Sequence, residues 1–402
     1  MSSAEVRKET FEVKIERLLP GGVGLAHANG LTLFVSLAAP GDVLRVSLDR
    51  VQGKVGFASI VEILKSSPAR VEPPCPYFGR CGGCDFQQLN YEAQLNAKVE
   101  IIKDCLHRIA RLEVPFDIAI HRAPNEWHYR ARANWQVDAK SKLLGYFERG
   151  SNRVCDVEYC AVLAPDLQET LEQVRKKIAH EPNAPPGSID AVAGDEGVSL
   201  APEIAQFQTR EASRVIENET YYFSAEAFFQ VNHKLVEPLV NEALRDSTAE
   251  VQGRTAIDLY CGVGLFTLPL ARRFARVVGV EANGRATEFA RRNLEFAKLE
   301  NADIITARVG DWMTEHSHSF GPVDFLLLDP PRTGAENKDT AGILALRPAR
   351  IAYVSCDPAT LARDLKKLTA AGYSLDSVVA FDMFPQTHHV ETVTRLVRCR
   401  LD

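Results

Sequence analysis

The sequence contains no long apolar run, and this absence limits where the protein can reside. Nowhere do about 18 uncharged apolar residues follow one another, which is the length that a membrane-spanning helix needs. Residues 1–14 are polar and charged, so they lack the apolar core of a secretory signal. These absences predict a protein without a membrane partner and with a cytoplasmic location.

An overall excess of basic residues is also missing. The formal net charge is −6 at pH 7, which gives no global indication of nucleic-acid binding. A contact with RNA would therefore need a local basic surface, and residues 121–153 are a candidate, with seven Lys or Arg against three Asp or Glu. Within them, 127–135 alternates cations with aromatic rings, as expected where phosphates are neutralised and bases stack. The alternative is a solvated basic strand with its aromatics in the core.

Nine cysteines, an odd number, occur without a secretion signal, which argues against a disulfide framework. They favour thiolate chemistry or metal ligation in a reducing compartment. Cys75, Cys81 and Cys84 lie in a Pro- and Gly-rich stretch, at a compact spacing that lets three thiolates converge on one centre. A fourth ligand must come from elsewhere. By ligand type alone, zinc and a [4Fe–4S] cube both remain open.

Hydrophobic periodicity divides the chain into three parts. Short alternating segments between Gly, Pro and Asn turns predict a small β-barrel first, and helical spacing over 90–112 opens a mixed middle region. The last part alternates apolar runs with helical stretches, as in a parallel sheet buried on both faces. We therefore predict a multidomain α/β protein divided into 1–66, 67–222 and 223–402, the last part doubly wound. The predicted strands are 11–15, 31–35, 43–46 and 59–63 in the first part and 256–259, 277–280, 325–328 and 351–354 in the last.

A glycine loop follows the first apolar run of the last part. Residues 258–264 read D-L-Y-C-G-V-G, with glycines where the backbone must turn tightly beside a ligand. The next strand ends at Glu281, where a carboxylate can accept hydrogen bonds from both ribose hydroxyls of an adenosine. The full G-x-G-x-x-G of dinucleotide enzymes is missing, which favours S-adenosylmethionine over NAD; an ordinary strand-to-helix turn is the alternative. Asp311 could reach the adenine amino group or be an exposed loop carboxylate.

Three further segments lie at sheet edges where open α/β folds bind ligands. In D-P-P-R at 329–332, Asp329 can face the cofactor. In S-C-D-P at 355–358, Cys356 stands at the start of a helix, where partial positive charge favours a thiolate nucleophile. In F-P-Q-T-H-H-V-E at 384–391, Glu391 stands near the start of the final strand and could act as a base. The alternative for D-P-P-R is a turn that merely ends a strand. The alternative for Cys356 is a small buried hydrophobic residue, and for Glu391 it is a surface acid on an edge strand.

Together with A-F-F-Q-V-N at 227–232, these segments stand in the same order in the RNA uridine C5-methyltransferases, which the chain resembles over almost its whole length. That family modifies large-subunit ribosomal RNA or the T-loop of transfer RNA. The resemblance implies a TRAM- or OB-like RNA-binding β-barrel, a central α+β domain with a [4Fe–4S] cluster, and a Rossmann-like class I methyltransferase domain. It implies that Cys356 is the nucleophile and Glu391 the base. The implied cofactor contacts are Gln230, Tyr260, Glu281, Asp311 and Asp329. The implied cluster ligands are Cys75, Cys81, Cys84 and Cys160, and Cys155 is the alternative to Cys160 as the fourth ligand.

The chemistry of uracil explains why these residue types are needed. C5 is too weakly nucleophilic to take a methyl group until a thiolate adds at C6 and develops charge at C5. A base must then remove the C5 proton so that the thiolate can leave. We expect a monomer that acts on 23S ribosomal RNA, with its target base flipped into the pocket. The alternatives are the transfer RNA T-loop and, in another class, a non-catalytic RNA-binding or redox-sensing scaffold.

Overall fold

The structure is a computed structural model, which describes residues 10–180, 187–204, 210–245, 254–318 and 320–399. Residues 1–9 of the polar amino-terminal stretch lie outside the described part. Across these ranges, no helix combines the length and the apolar character that crossing a membrane requires.

The first part of the chain folds into a six-stranded sheet. The strands are β1 (Thr10–Lys14), β2 (Arg17–Leu18), β3 (Gly24–Ala28), β4 (Leu31–Val35), β5 (Val43–Gln52) and β6 (Val55–Lys65), in the order β1-β5-β6-β4-β3-β2. The sheet curls on itself, because Glu16, just past β1, donates its backbone N–H to Leu25 O of β3 at 2.9 Å. Alternate side chains, including Val13, Leu33 and Leu44, fill the inside of the curl. All four predicted strands are confirmed, and β5 and β6 extend beyond their predicted ends.

A loop and a long helix follow. The loop carries Cys75, Cys81 and Cys84 outside helix and strand, as its prolines predict. Helix α1 (Tyr91–Cys105) begins after Asn90, whose side chain accepts the Ala93 N–H at 2.9 Å, and a π-helical turn continues it to Ala110. The predicted helix over 90–112 is thus confirmed.

The middle region, which the periodicity does not resolve, forms a second sheet, and all strands of this sheet pair antiparallel. Its order is β10-β9-β8-β11-β12, and α2 packs on one face through Leu167, Leu171 and Val174. A separate hairpin, β13 and β14, leads towards the last part of the chain. The bounds are β7 (Ala119–His121), β8 (Arg132–Asp138), β9 (Leu143–Phe147), β10 (Val154–Asp156), α2 (Pro165–His180), β11 (Gly187–Ala193), β12 (Val198–Ala201), β13 (Ala212–Ile216) and β14 (Glu219–Phe223).

The last part is built on an eight-stranded sheet with the order β17-β16-β15-β18-β19-β21-β20-β7. The first five strands in this order are parallel, and helices follow the strands as in a doubly wound fold. All four predicted apolar runs are confirmed as strands. The bounds are α3 (Val236–Ala243), β15 (Thr255–Leu259), α4 (Thr267–Ala271), β16 (Arg276–Glu281), α5 (Gly284–Phe296), β17 (Ala302–Thr306), α6 (Val309–His316), β18 (Phe325–Leu328), α7 (Asn337–Leu346), β19 (Arg350–Ser355), α8 (Pro358–Ala370), β20 (Tyr373–Phe381) and β21 (Glu391–Arg398).

The direction of β21 decides where the final motif lies. β21 is antiparallel to β19, with Ser355 opposite Thr392, so the start of β21 lies at the edge where β19 ends. Glu391 therefore comes close to Cys356 although 35 positions separate them. The edge strand β7, parallel to β20, is contributed from the middle of the chain and was not predicted.

Candidate active site

Six of the seven predicted catalytic and cofactor-binding residues line a single cleft at the carboxyl edge of the parallel sheet. They are Gln230, Tyr260, Glu281, Asp329, Cys356 and Glu391. Their common position follows from the topology, because β15, β16, β18 and β19 all end at this edge and β21 starts there. The cleft therefore collects residues from six separate segments of sequence, five at strand ends and a sixth, with Gln230, that precedes β15.

The glycine loop is held open beside Glu281. Gly262 and Gly264 adopt left-handed conformations, with φ of +53° and +89°, which glycine reaches without strain. Glu281 accepts the Gly262 N–H at 3.2 Å through one carboxylate oxygen and the Asn283 N–H at 2.7 Å through the other. Tyr260 donates its hydroxyl to Asp339 at 2.5 Å. These bonds fix the two side chains that face the predicted adenosine position.

Asp311 lies apart from this group. It stands in the first turn of α6 rather than on a loop, and it pairs with Lys338 at 3.5 Å at the protein surface. It is not among the residues that line the cleft. The predicted contact with the adenine amino group stays a prediction.

Cys356 is half-buried where β19 passes into α8. Asp357 caps that helix by accepting the Thr360 N–H at 2.8 Å, and Pro358 occupies its first position. Burial, followed by the nearby Glu391 and Asp329 carboxylates, raises the pKa of the Cys356 thiol to about 12, and Arg332 opposes this rise. In this structure desolvation and the two acids outweigh the helix start, which by itself would favour a thiolate.

Two carboxyl groups beside the thiol are also perturbed. Burial, and then Glu281, raises the pKa of Asp329 to about 7. Burial and Asp329 raise the pKa of Glu391 well above its usual value, while Arg332 lowers it. Glu391 is only 4% exposed, and its Oε1 has no hydrogen-bond partner among the described residues. A buried acceptor without a partner, facing a cleft, is suited to take a proton from a ligand.

Comparisons with known proteins agree with this geometry. A family model described as tRNA (Uracil-5-)-methyltransferase matches residues 204–399. The 23S rRNA (uracil(1939)-C(5))-methyltransferase RlmD of Pectobacterium atrosepticum is 34% identical over 427 residues, covering 96% of this chain and 94% of that protein. RlmD of Vibrio parahaemolyticus is 31% identical over 95% of this chain and 94% of its own length. This chain belongs to the RNA uracil-C5 methyltransferase family.

A solved structure supports the same assignment. The Pyrococcus abyssi tRNA (uracil-54, C5)-methyltransferase, in complex with S-adenosyl-L-homocysteine, superposes with a TM-score of 0.74 at 25% identity, over 96% of this chain and all of that one. The methyltransferase described here thus combines an N-terminal β-rich domain with a C-terminal methyltransferase fold. It is an S-adenosylmethionine-dependent RNA methyltransferase, as the motifs predict.

The charges of the cleft fit this methyl donor. Glu281, Asp329 and Glu391 face the same space, and burial opposes the ionisation of the last two. A ligand with positive groups would relieve the repulsion between these carboxylates. S-adenosylmethionine carries two such groups, an ammonium and a sulfonium, and it supplies the methyl group from the latter. The buried carboxyl groups of Asp329 and Glu391 are therefore what makes the cleft suitable for a positively charged methyl donor.

The raised pKa of Asp329 predicts pH-dependent cofactor binding. Below about pH 7 this carboxyl is protonated, so the attraction for the cofactor ammonium that we predict for Asp329 would be lost as the pH falls. Between pH 6 and pH 8 we expect the affinity for S-adenosylhomocysteine, which keeps the ammonium, to rise by about tenfold. Isothermal titration calorimetry measures this affinity at each pH. Asp329→Asn should bind weakly with a flat profile, whereas a matched change at the exposed Asp303, Asp303→Asn, should keep the rise. An equal rise in Asp329→Asn would contradict this role.

The cleft is also lined by three residues that the sequence places within longer predicted segments, 127–135 and 227–232, without an individual role. Arg130, Arg132 and Phe228 line it, and Phe228 is 55% exposed. Arg132 donates to the carbonyl oxygens of Ala225 and Ala227 at 2.8 Å each, and its guanidinium lies 5.8 Å from the centre of the Phe228 ring. The A-F-F-Q-V-N motif is the only sequence signal that could have indicated Phe228.

The basic and aromatic stretch 127–135 divides between surface and core. Arg130 and Arg132 reach the cleft, as a role in RNA contact requires. Tyr129 and Trp135 are buried, 2% and 0% exposed, so their rings cannot stack on bases. For these two aromatics the alternative of core packing is correct, and within β8 Trp135 lies on the face opposite to Arg132.

The four predicted cluster ligands meet at a second cavity. Cys75, Cys81, Cys84 and Cys160 all line it, together with Arg130, whereas Cys155 does not. Burial raises the pKa of Cys81 to about 11 and that of Cys84 to about 12. Within the ranges that the structure describes, no three or more His, Cys, Asp or Glu side chains are arranged so that they could hold a metal ion. The structure thus brings the four thiols to one cavity without a ready-made metal site.

Proposed function

We propose that this methyltransferase methylates C5 of a uridine in 23S ribosomal RNA through a covalent bond between Cys356 and C6. The observation that carries the proposal is the meeting of Cys356, Asp329 and Glu391 in one cleft with the glycine loop. Ribosomal RNA is preferred over transfer RNA because the relatives named for 23S ribosomal RNA are 31% and 34% identical, against 25% for the archaeal transfer RNA enzyme.

The residues divide the reaction between them. The Cys356 thiol loses its proton to water, aided by Arg332 and by the positive charge of the bound donor, and its sulfur adds to C6. The electrons of the C5–C6 double bond move to C5, which attacks the methyl carbon. The bond between that carbon and the sulfonium sulfur breaks, and S-adenosylhomocysteine leaves. Glu391 removes the C5 proton, the double bond between C5 and C6 forms again, and sulfur leaves as a thiolate. Glu391 acts in this step as the carboxylate, and Arg332, which lowers its pKa, favours that form.

Mapping of 5-methyluridine tests the substrate assignment. Ribosomal and transfer RNA from cells that lack the protein are digested and compared with RNA from cells that keep it. We expect the loss of one 5-methyluridine from 23S ribosomal RNA, restored by the wild-type chain but not by Cys356→Ala. Loss from the transfer RNA T-loop alone would favour the second candidate substrate.

The non-catalytic scaffold is separated from an enzyme by a labelled-methyl assay on total RNA. A scaffold would bind S-adenosylmethionine and transfer no methyl group to any RNA. The intact S-C-D-P and H-V-E motifs, and the unpartnered oxygen of Glu391, favour an enzyme.

We further propose that Cys75, Cys81, Cys84 and Cys160 hold a [4Fe–4S] cluster with a structural role. Four cysteines on one cavity wall suit such a cluster, in which each iron takes one thiolate. Arg130, which lines the same cavity, would offset the negative charge of the thiolates. Iron and acid-labile sulfide analysis of protein purified without oxygen tests this. One equivalent of zinc and no iron would overturn it.

The three-part division at 1–66, 67–222 and 223–402 remains our proposal for the domains. The curled sheet of β1 to β6 would be the TRAM-like RNA-binding barrel, and the segment that carries the cysteines would form the central domain. The pairing of β7 with β20 means that the central segment also completes the last sheet. A monomer is expected, which sedimentation of the purified protein checks.

A further inference from the structure

The segment just before the predicted base is held by residues from the other end of the chain. We name residues 382–390 the base loop, because Glu391 follows them directly. It packs against residues 85–98, which begin next to Cys84 and continue into α1. Three groups of contacts join the two segments, and none of them takes part in the chemistry described above.

The first contact group lies at the end of the base loop. Asp85 accepts the backbone N–H of His388 at 2.7 Å through Oδ1, and its Oδ2 lies 2.5 Å from Nδ1 of the same imidazole. Both side chains are mostly buried, with 14% and 26% exposed. The pair thus fixes a residue three positions before Glu391.

The second contact group fixes the strained centre of the loop. Gln386 has a left-handed backbone, with φ of +68°, which a residue other than glycine adopts only when its surroundings hold it. Its carbonyl oxygen accepts the N–H groups of Asp85 and Phe86 at 3.1 and 3.0 Å. Gln94 exchanges two further hydrogen bonds with it, at 2.9 and 3.0 Å. The strain is therefore maintained by the segment next to the cysteines.

The third contact group is a buried ion pair. The ammonium of Lys98 contacts the carboxylate of Asp382, both fully buried, and also donates to Phe384 O at 3.0 Å. Tyr91 donates its hydroxyl to Asp382 at 2.8 Å. A buried ion pair is a poor source of net stability, yet breaking it is costly, so it suits a place where one geometry must be kept.

We propose that Asp85 is a positioning residue that ties the cysteine loop to the catalytic base, so that Glu391 stands correctly for removal of the C5 proton. The inference rests on the proposed function and concerns its last step. In that step the carboxylate takes the proton, the C–H electron pair forms the C5–C6 double bond, and the C6–S pair leaves with sulfur as thiolate. Bond formation by Cys356 and methyl transfer come earlier and do not depend on Glu391.

Asp85→Asn tests the proposal with a change of nearly equal size. The amide oxygen can still accept the His388 N–H, but the charge opposite the imidazole is lost. We expect the first round of methyl transfer to stay within about twofold of wild type, and turnover to fall on the order of 10-fold to 100-fold, as small misplacements of a catalytic group do. A methylated covalent adduct between RNA and protein should accumulate, while the Kd for RNA measured without the methyl donor stays unchanged. Asp85→Glu should recover part of the turnover.

A matched control and a second variant keep the test decisive. The exposed Glu72, changed to Gln, should leave turnover and adduct as in wild type. If Asp85→Asn does not fold, His388→Gln breaks the same pair from the other side and should give the same adduct. A merely structural role would lower first-round transfer and turnover by the same factor without an adduct, and that result overturns the inference. Wild-type protein without methyl transfer to RNA would instead overturn the proposed function.

Discussion

Cys356→Ala is expected to lower methyl transfer to uridine by a factor of about 10⁴ or more. Without the thiolate, no bond forms at C6 and no negative charge develops at C5, so the methyl group has no nucleophile to attack. Loss of a catalytic nucleophile has effects of this size in other enzymes. Transfer of a labelled methyl group to unmodified ribosomal RNA measures it.

The control for this variant is Cys399→Ala, the same change at an exposed cysteine beyond the end of β21. It should keep full activity. Binding of S-adenosylhomocysteine should be the same in both variants, because Cys356 lies at the substrate side of the cleft in our mechanism. Activity of Cys356→Ala within tenfold of wild type would exclude covalent catalysis by this residue.

Glu391→Gln is expected to stop the reaction after methyl transfer and to trap RNA on the protein. The amide cannot take the C5 proton, so elimination should slow by about 10² to 10⁴, the usual contribution of a general base. Since the thiol and the donor site are unchanged, the adduct still forms and then persists. Denaturing electrophoresis with labelled RNA shows it as a band of increased mass.

Two control variants test whether the trapped adduct depends on Glu391 and Cys356. The exposed Glu295, changed to Gln, should turn over normally without a trapped band. The double variant Cys356→Ala with Glu391→Gln should give no band, because the bond to RNA is lost. A Glu391→Gln protein with normal turnover would assign the proton removal to another group.

The sequence predicts the last sheet well because its strands are buried on both faces. Phe325–Leu328 is uniformly apolar and coincides with β18, since every side chain of that strand is buried. The middle of the chain has no such signal. β7 has only three residues, too few for a period, and its partner β20 lies at the far end of the chain. Pairings of this kind depend on tertiary structure and cannot be read from local patterns.

The candidate active site likewise has features that the sequence predicts and features that it does not. The predicted residues at strand ends meet in one cleft, because the order of a doubly wound sheet brings those ends together. The raised pKa of Cys356 could not be predicted from its helix start, since the desolvation and the two acids that raise this pKa come from other segments. The hydrogen-bonded pair of Asp85 and His388 could not be predicted from the sequence either, because 303 positions separate the two residues.

RNA that contains 5-fluorouridine at the target position tests the central claim most directly. Fluorine at C5 cannot be removed as a proton, so elimination is blocked once the methyl group has been transferred. After reaction with S-adenosylmethionine and digestion, mass spectrometry of the peptides identifies the residue that is bound to the base. We predict a methylated fluorouracil on Cys356 and no adduct with Cys356→Ala. An adduct on another residue, or methylation without any adduct, would contradict the account.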